Sequence, residues 1–223
     1  MIAAAVLGLL LLIALPVRAL LPPRPGARKR TMSERYVRTS IEIALLLAAL
    51  LLVAFLTGMT ARDLGLGWPP PRDGLIGLGI AALILGGVAA AVLLMAPSKS
   101  PREQEAMSEL PQGPREMRQF LLFGLAAGIG WELLYRGFLL WWLTPLIGLI
   151  GAVVAASIAY GLAHGWKSWG QGLGSIGSAF LFSIGYAATG SLWWLIAIHT
   201  GLPLVALLAG WRSRKPNKET QPA

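Results

Sequence analysis

The sequence predicts an all-α protein, a polytopic transmembrane helix bundle of about seven spans, and three observations carry that prediction. Of the 223 residues, 56% are hydrophobic and 13% charged, with a mean hydropathy of +0.66; a soluble domain carries about a quarter charged residues. Apolar runs of helical membrane length recur along the chain. Runs such as Ile43–Phe55 are continuously apolar, which excludes the alternation of barrel strands. The absence of cysteine rules out disulfides, a thiolate nucleophile and a cysteine metal site. The net charge of +9 lies in loops and the tail, where basic residues orient helices and meet anionic lipid rather than nucleic acid.

Taken in order, Ile2–Val17 is uncharged and apolar and is followed by Arg18. It lacks a basic leading region and a small-residue cleavage site, so it reads as a retained first helix, with Arg18 free to reach the interface. The loop Pro22–Ser40 holds Arg24, Arg28, Lys29, Arg30, Arg35 and Arg38 against the single acid Glu34, which places it in the cytoplasm and the N-terminus outside. Ile41–Met59 is the second span, with Glu42 at its cytoplasmic edge. Thr60–Gly74, with Pro69-Pro70-Pro71 and balanced charges, suits an external loop. Leu75–Ala96 is the third span, and its Gly86-Gly87-Val88-Ala89-Ala90-Ala91 run is of the kind that lets helices approach closely in lipid. The polar connection Pro97–Arg118 then leads to four closely spaced spans, about Phe120–Leu143, Leu146–Gly165, Leu173–Ala188 and Leu192–Gly210. The basic tail Trp211–Ala223 ends inside on this count. The chain thus divides into a three-span region (1–96), a linker (97–118), a four-span unit (119–210) and a tail (211–223). It reads as an integral protein of a bacterial cytoplasmic membrane.

The titratable groups at membrane depth are few: Glu132, Arg136, His164 and His199, with the phenols of Tyr135, Tyr160 and Tyr186. Charges at the bilayer centre cost about 2.5–3.5 kcal/mol each on insertion scales, so they should face protein or a water-filled cavity. Glu132 and Arg136 are four apart and share a helix face, and a buried pair that only fixes packing is the plainest account of them. Both histidines of the protein, however, fall on other spans of the same unit. A carboxylate and an imidazole that converge can deprotonate a water, Arg136 can hold the carboxylate, and a second imidazole can serve the oxyanion of an attacked amide. No serine sits in a nucleophile motif. Two His and one Glu could form a zinc shell, but without a His-Glu-x-x-His segment no cofactor is expected.

These segments resemble the CAAX-processing and bacteriocin-processing (CPBP) family of intramembrane glutamic proteases. Its first motif, a Glu-Glu pair followed after three residues by Arg, aligns with Trp131-Glu132-Leu133-Leu134-Tyr135-Arg136. The second, an aromatic residue four before a His, is matched by Tyr160 and His164. The third, a His after a Ser-Leu-Trp-like entry, is matched by Ser191-Leu192-Trp193 and His199. The similarity covers about Arg115–Gly210. It implies an endopeptidase acting on a membrane-associated peptide or protein, with Glu132 and His164 on the hydrolytic water, Arg136 and Tyr160 in support, and His199 on the oxyanion. Two positions depart from the pattern: the leading Glu is Trp131, and the polar residue expected four after His199 is Pro203. A catalytically inactive scaffold or chaperone is therefore the alternative, and a transporter a third reading.

Overall fold

The computed structural model describes residues 2–22, 26, 28, 30–94 and 110–213. Most of the linker 97–118, part of the basic loop and the tail from 214 onward fall outside the described residues. Within them the protein is all-helical: α1 (Ile2–Leu9), a π-helical turn (Leu10–Ala14), α2 (Leu15–Leu20), α3 (Met32–Thr57), α4 (Arg72–Leu94), α5 (Pro114–Trp131), a second π-helical turn (Glu132–Phe138), α6 (Leu139–Ala163), α7 (Trp169–Thr189) and α8 (Trp193–Ser213).

Six helical stretches among the described residues are long and apolar enough to cross a membrane, and one of them, Pro114–Ala163, runs for 50 residues. A straight helix of that length would measure about 75 Å, more than twice a hydrocarbon core. It is not straight. Gly148 adopts φ 73°, ψ 164°, and the ring centroids of Tyr135 and Tyr160 lie 5.1 Å apart, where an unbroken helix would separate them by about 37 Å. The chain reverses at Gly148, so this stretch makes two antiparallel crossings and the described residues make seven. Pro145, inside the helix, does not end it. The break expected between Leu143 and Leu146 falls instead where a glycine accepts a positive φ.

The helix ends follow local chemistry. α3 begins nine residues before the expected Ile41 because Thr31 and Glu34 form a capping box, with Glu34 N–H donating to Thr31 Oγ1 at 3.3 Å and Thr31 N–H to Glu34 Oε2 at 2.9 Å. Arg35 and Arg38 of the basic loop are thereby helical. α3 ends at Gly58, in the left-handed region. Ser33 and Gln119, near the starts of α3 and α5, are hydrogen-bonded at 2.6 Å, so those two helices run parallel from one end of the bundle.

Large apolar side chains point outward, Phe55 at 84% exposure among them, as expected where lipid is the solvent. The core forms around α1, α3, the second π turn and α6. Close helix approach in α4 uses Gly74 and Gly77, which abut Ser191, just before α8, and Trp194 within it, and not the Gly86-Gly87 run, whose glycines face open space. The sequence run was small on every side; only the neighbour decides which small residue is used.

Candidate functional site

The second π turn holds the charged pair near mid-membrane. Glu132 lies 13 residues past Gln119 and 16 before Gly148, about 20 Å and 24 Å along a helix axis. Turns of π-helix are rare and concentrate at functional sites. Glu132 and Arg136 are both fully buried. Arg136 Nη1 donates to Glu132 Oε1 at 3.3 Å, and His199 Nδ1 of α8 reaches the same oxygen at 2.8 Å. Oε2 of Glu132 and Nε and Nη2 of Arg136 have no hydrogen-bond partner among the described residues, which is costly for buried charged groups unless water serves them.

Close packing brings His199 there. Gly128 is one turn before Glu132 on the same face, and a Cβ added to it would sit 2.9 Å from the Thr200 nitrogen and 3.2 Å from the His199 carbonyl carbon. Without a side chain at 128, α8 lies directly on α5 and its histidine reaches the carboxylate one turn further on. The Arg136 guanidinium is covered by the ring of Tyr160, 4.0 Å from its centroid, a cation–π contact in a dry setting. Tyr160 in turn meets Tyr135 edge-on. Of the five residues singled out in the sequence, the structure thus joins Glu132, Arg136, His199 and Tyr160 directly.

His164 is one step removed. It terminates α6, its ring lies 4.3 Å from that of Tyr160, and its Nδ1 is 3.0 Å from the Tyr160 carbonyl oxygen. A carbonyl only accepts, so Nδ1 carries the proton and Nε2 is left as an acceptor. It makes no hydrogen bond to Glu132 but lines a cavity of about 370 Å³ with Trp131, Tyr135, Arg18, Arg35 and Glu42 among its walls. Trp131, where the family motif has its leading Glu, faces this cavity; Glu132 and His199 do not line it. Among the described residues no three His, Asp or Glu side chains are grouped to hold a metal.

Several wall residues come from the N-terminal three spans and were not singled out in the sequence. Arg18 forms a double hydrogen bond with Glu42, at 2.5 and 2.8 Å, closing the first and second spans over the cavity. The Tyr135 hydroxyl donates to the Leu11 carbonyl at 3.1 Å, which ties the two π turns together. Opposite charges at the same expected membrane edge were the only sequence signal for the first of these, and the second had none.

Seven apolar crossings around a buried carboxylate, guanidinium and imidazole define an integral membrane protein with an intramembrane polar site. Residues 113–205 match the family model described as "Type II CAAX prenyl endopeptidase Rce1-like", the stretch that carries all three motifs. The match covers less than half of the chain, and over that segment the chain is similar to Rce1-like, CAAX-type endopeptidases. No curated protein and no solved structure matches the chain.

Proposed function

We propose that this chain is an intramembrane endopeptidase that hydrolyses a peptide bond in a membrane-associated, lipid-anchored peptide or protein. The observation that carries the reading is Glu132 shared by Arg136 and His199 at 3.3 and 2.8 Å with its second oxygen unpartnered. In this reading Glu132 Oε2 and His164 Nε2, the two acceptors left open, bind the attacking water and take its proton. Arg136 fixes the carboxylate. His199, held at Nδ1 by Glu132 Oε1, stabilises the oxyanion. The C–N bond then breaks, and the amine leaves with the proton the base has taken. The basic end of the bundle, with Arg18, Arg35 and His164, would be cytoplasmic.

One observation favours a second reading. Glu132 is sealed from the cavity, and an indole stands on its wall where the family motif has a carboxylate. A member of this kind would bind peptides as a scaffold and leave them uncut. Cleavage of a farnesylated CAAX peptide by the purified protein in vesicles separates the two. Cleavage lost in Glu132→Gln and His199→Ala supports the enzyme. No cleavage by the wild type, with cleavage gained in Trp131→Glu, establishes the scaffold.

A further inference from the structure

We propose that a groove between α4 and α7, away from the site above, binds an aminophospholipid, with an acyl chain in its apolar bore and the primary ammonium of the headgroup on Asp73. The groove holds about 380 Å³ and runs over Trp194 of α8. Asp73, Ile76, Gly77 and Ile80 line one wall at i, i+3, i+4 and i+7, a single face of α4 about 10 Å long. Its floor is fixed in place. Trp194 Nε1 donates to Thr189 Oγ1 at 3.0 Å, and the indole meets Phe182 edge-on. A Cβ at Gly77 would fall 2.7 Å from that ring and one at Gly185 2.8 Å, so the indole reaches from wall to wall because neither wall has a side chain there. Thr189 Oγ1 also donates to the Gly185 carbonyl at 2.8 Å, which satisfies it as donor and acceptor. Asp73 is the one lining side chain whose polar atoms are open. It is exposed and has no hydrogen-bond or ion-pair partner among the described residues.

This face of α4 is turned to lipid, since Ile76, Ile80 and Leu83 are all large, apolar and exposed. A bilayer fills any such recess with hydrocarbon, so the bore alone selects nothing. The carboxylate at its mouth does. Asp73 stands in the first turn of α4, at the end of the span, where headgroups and not chains are its neighbours. A carboxylate there accepts charge-assisted hydrogen bonds from N–H donors. The ammonium of an ethanolamine head carries three such donors, whereas a choline head carries the same charge and none. Arg72, the residue before, is likewise exposed and without a partner among the described residues. The mouth therefore presents one open charge of each sign. That pair matches a zwitterionic head, phosphodiester to guanidinium and ammonium to carboxylate, and gives an anionic or a cationic head no net attraction. Asp73 lies outside the 113–205 family match, so the site would belong to the N-terminal spans of this chain.

The test titrates the full-length protein in detergent micelles with phosphatidylethanolamine, phosphatidylcholine and phosphatidylglycerol of matched chains, and reads the first binding event by native mass spectrometry. Phosphatidylethanolamine should bind about 2- to 5-fold more tightly than phosphatidylcholine, the range of a solvent-exposed ion pair. Asp73→Asn should abolish that difference and Asp73→Glu should keep part of it. Ala188→Leu puts a larger side chain into the groove at an exposed position and should weaken both lipids together. Gly86→Leu, on the same helix but in open space, should change neither. Equal affinities for the two zwitterionic lipids in the wild type overturn the proposal, as does a preference that survives Asp73→Asn. Tighter binding of phosphatidylglycerol than of either, or binding unaffected by Ala188→Leu, overturns it too, the first by pointing to a basic headgroup site and the second by placing the lipid elsewhere. The readout is binding alone, so the outcome is independent of whether the chain cuts peptides.

Discussion

Glu132 carries two engagements on one oxygen and none on the other, and that asymmetry governs what substitution there should do. Glu132→Gln keeps the shape but removes the charge that Arg136 and His199 share. On the proposed mechanism, peptide cleavage should fall about 10²- to 10⁴-fold, the usual worth of a general base. It should also lower stability, because breaking a buried pair strands the Arg136 charge, at a cost of about 3–5 kcal/mol. Thermal melting in detergent checks the second effect independently of activity, and a variant that melts normally would mean the pair is already solvated. Tyr135→Phe is the milder probe. It deletes the 3.1 Å bond to the Leu11 carbonyl and should cost about 1–3 kcal/mol, since a buried acceptor loses its donor. Charge at membrane depth made Glu132, Arg136 and the histidines legible in the sequence. Tyr135 was visible only as another intramembrane phenol, because its partner is a backbone carbonyl 124 residues away that no spacing rule connects.

At the scale of the helix, the site depends on two glycines doing different things. Gly128 supplies closeness: any side chain there meets the Thr200 and His199 backbone. Gly128→Leu should push α8 off α5 and separate His199 from Glu132. Overpacking costs about 1–3 kcal/mol, but the activity loss should be far larger than that figure implies, approaching that of His199→Ala in the same cleavage assay. Gly148 supplies conformation, with φ 73° and open space around it. Gly148→Ala should therefore destabilise by about 1–2 kcal/mol from backbone strain alone, read as a lower melting temperature with cleavage intact. The span count followed from hydropathy, which is a local property, and the order of motifs from the family resemblance. The α3 start needed the capping box at Thr31, and the reversal needed Gly148 rather than Pro145; both were present as residues but carried no weight against the longer apolar pattern. Which glycines touch a neighbour was beyond the sequence, since Gly86 and Gly128 look alike until α8 is placed.

For the molecule as a whole, the N-terminal spans are more than an anchor for the matched segment. α2 and α3 wall the cavity through Arg18, Arg35 and Glu42, and the first π turn holds the second. Their geometry makes sense only if the chain crosses seven times, so that Arg18, Arg35 and His164 share one end of the bundle. The protein contains no cysteine, so single cysteines report sidedness without background. Arg30→Cys, Ala61→Cys and Lys167→Cys each place a thiol at an exposed position. In intact cells, a membrane-impermeant maleimide should label Ala61→Cys and spare the other two until the membrane is opened, if the basic end is cytoplasmic. Lys167 is the decisive position. Were Pro114–Ala163 a single crossing, position 167 would lie on the side of Ala61 and label with it. His164, three residues away, would then be stranded across the membrane from Arg18 and Arg35, and the cavity they share could not exist.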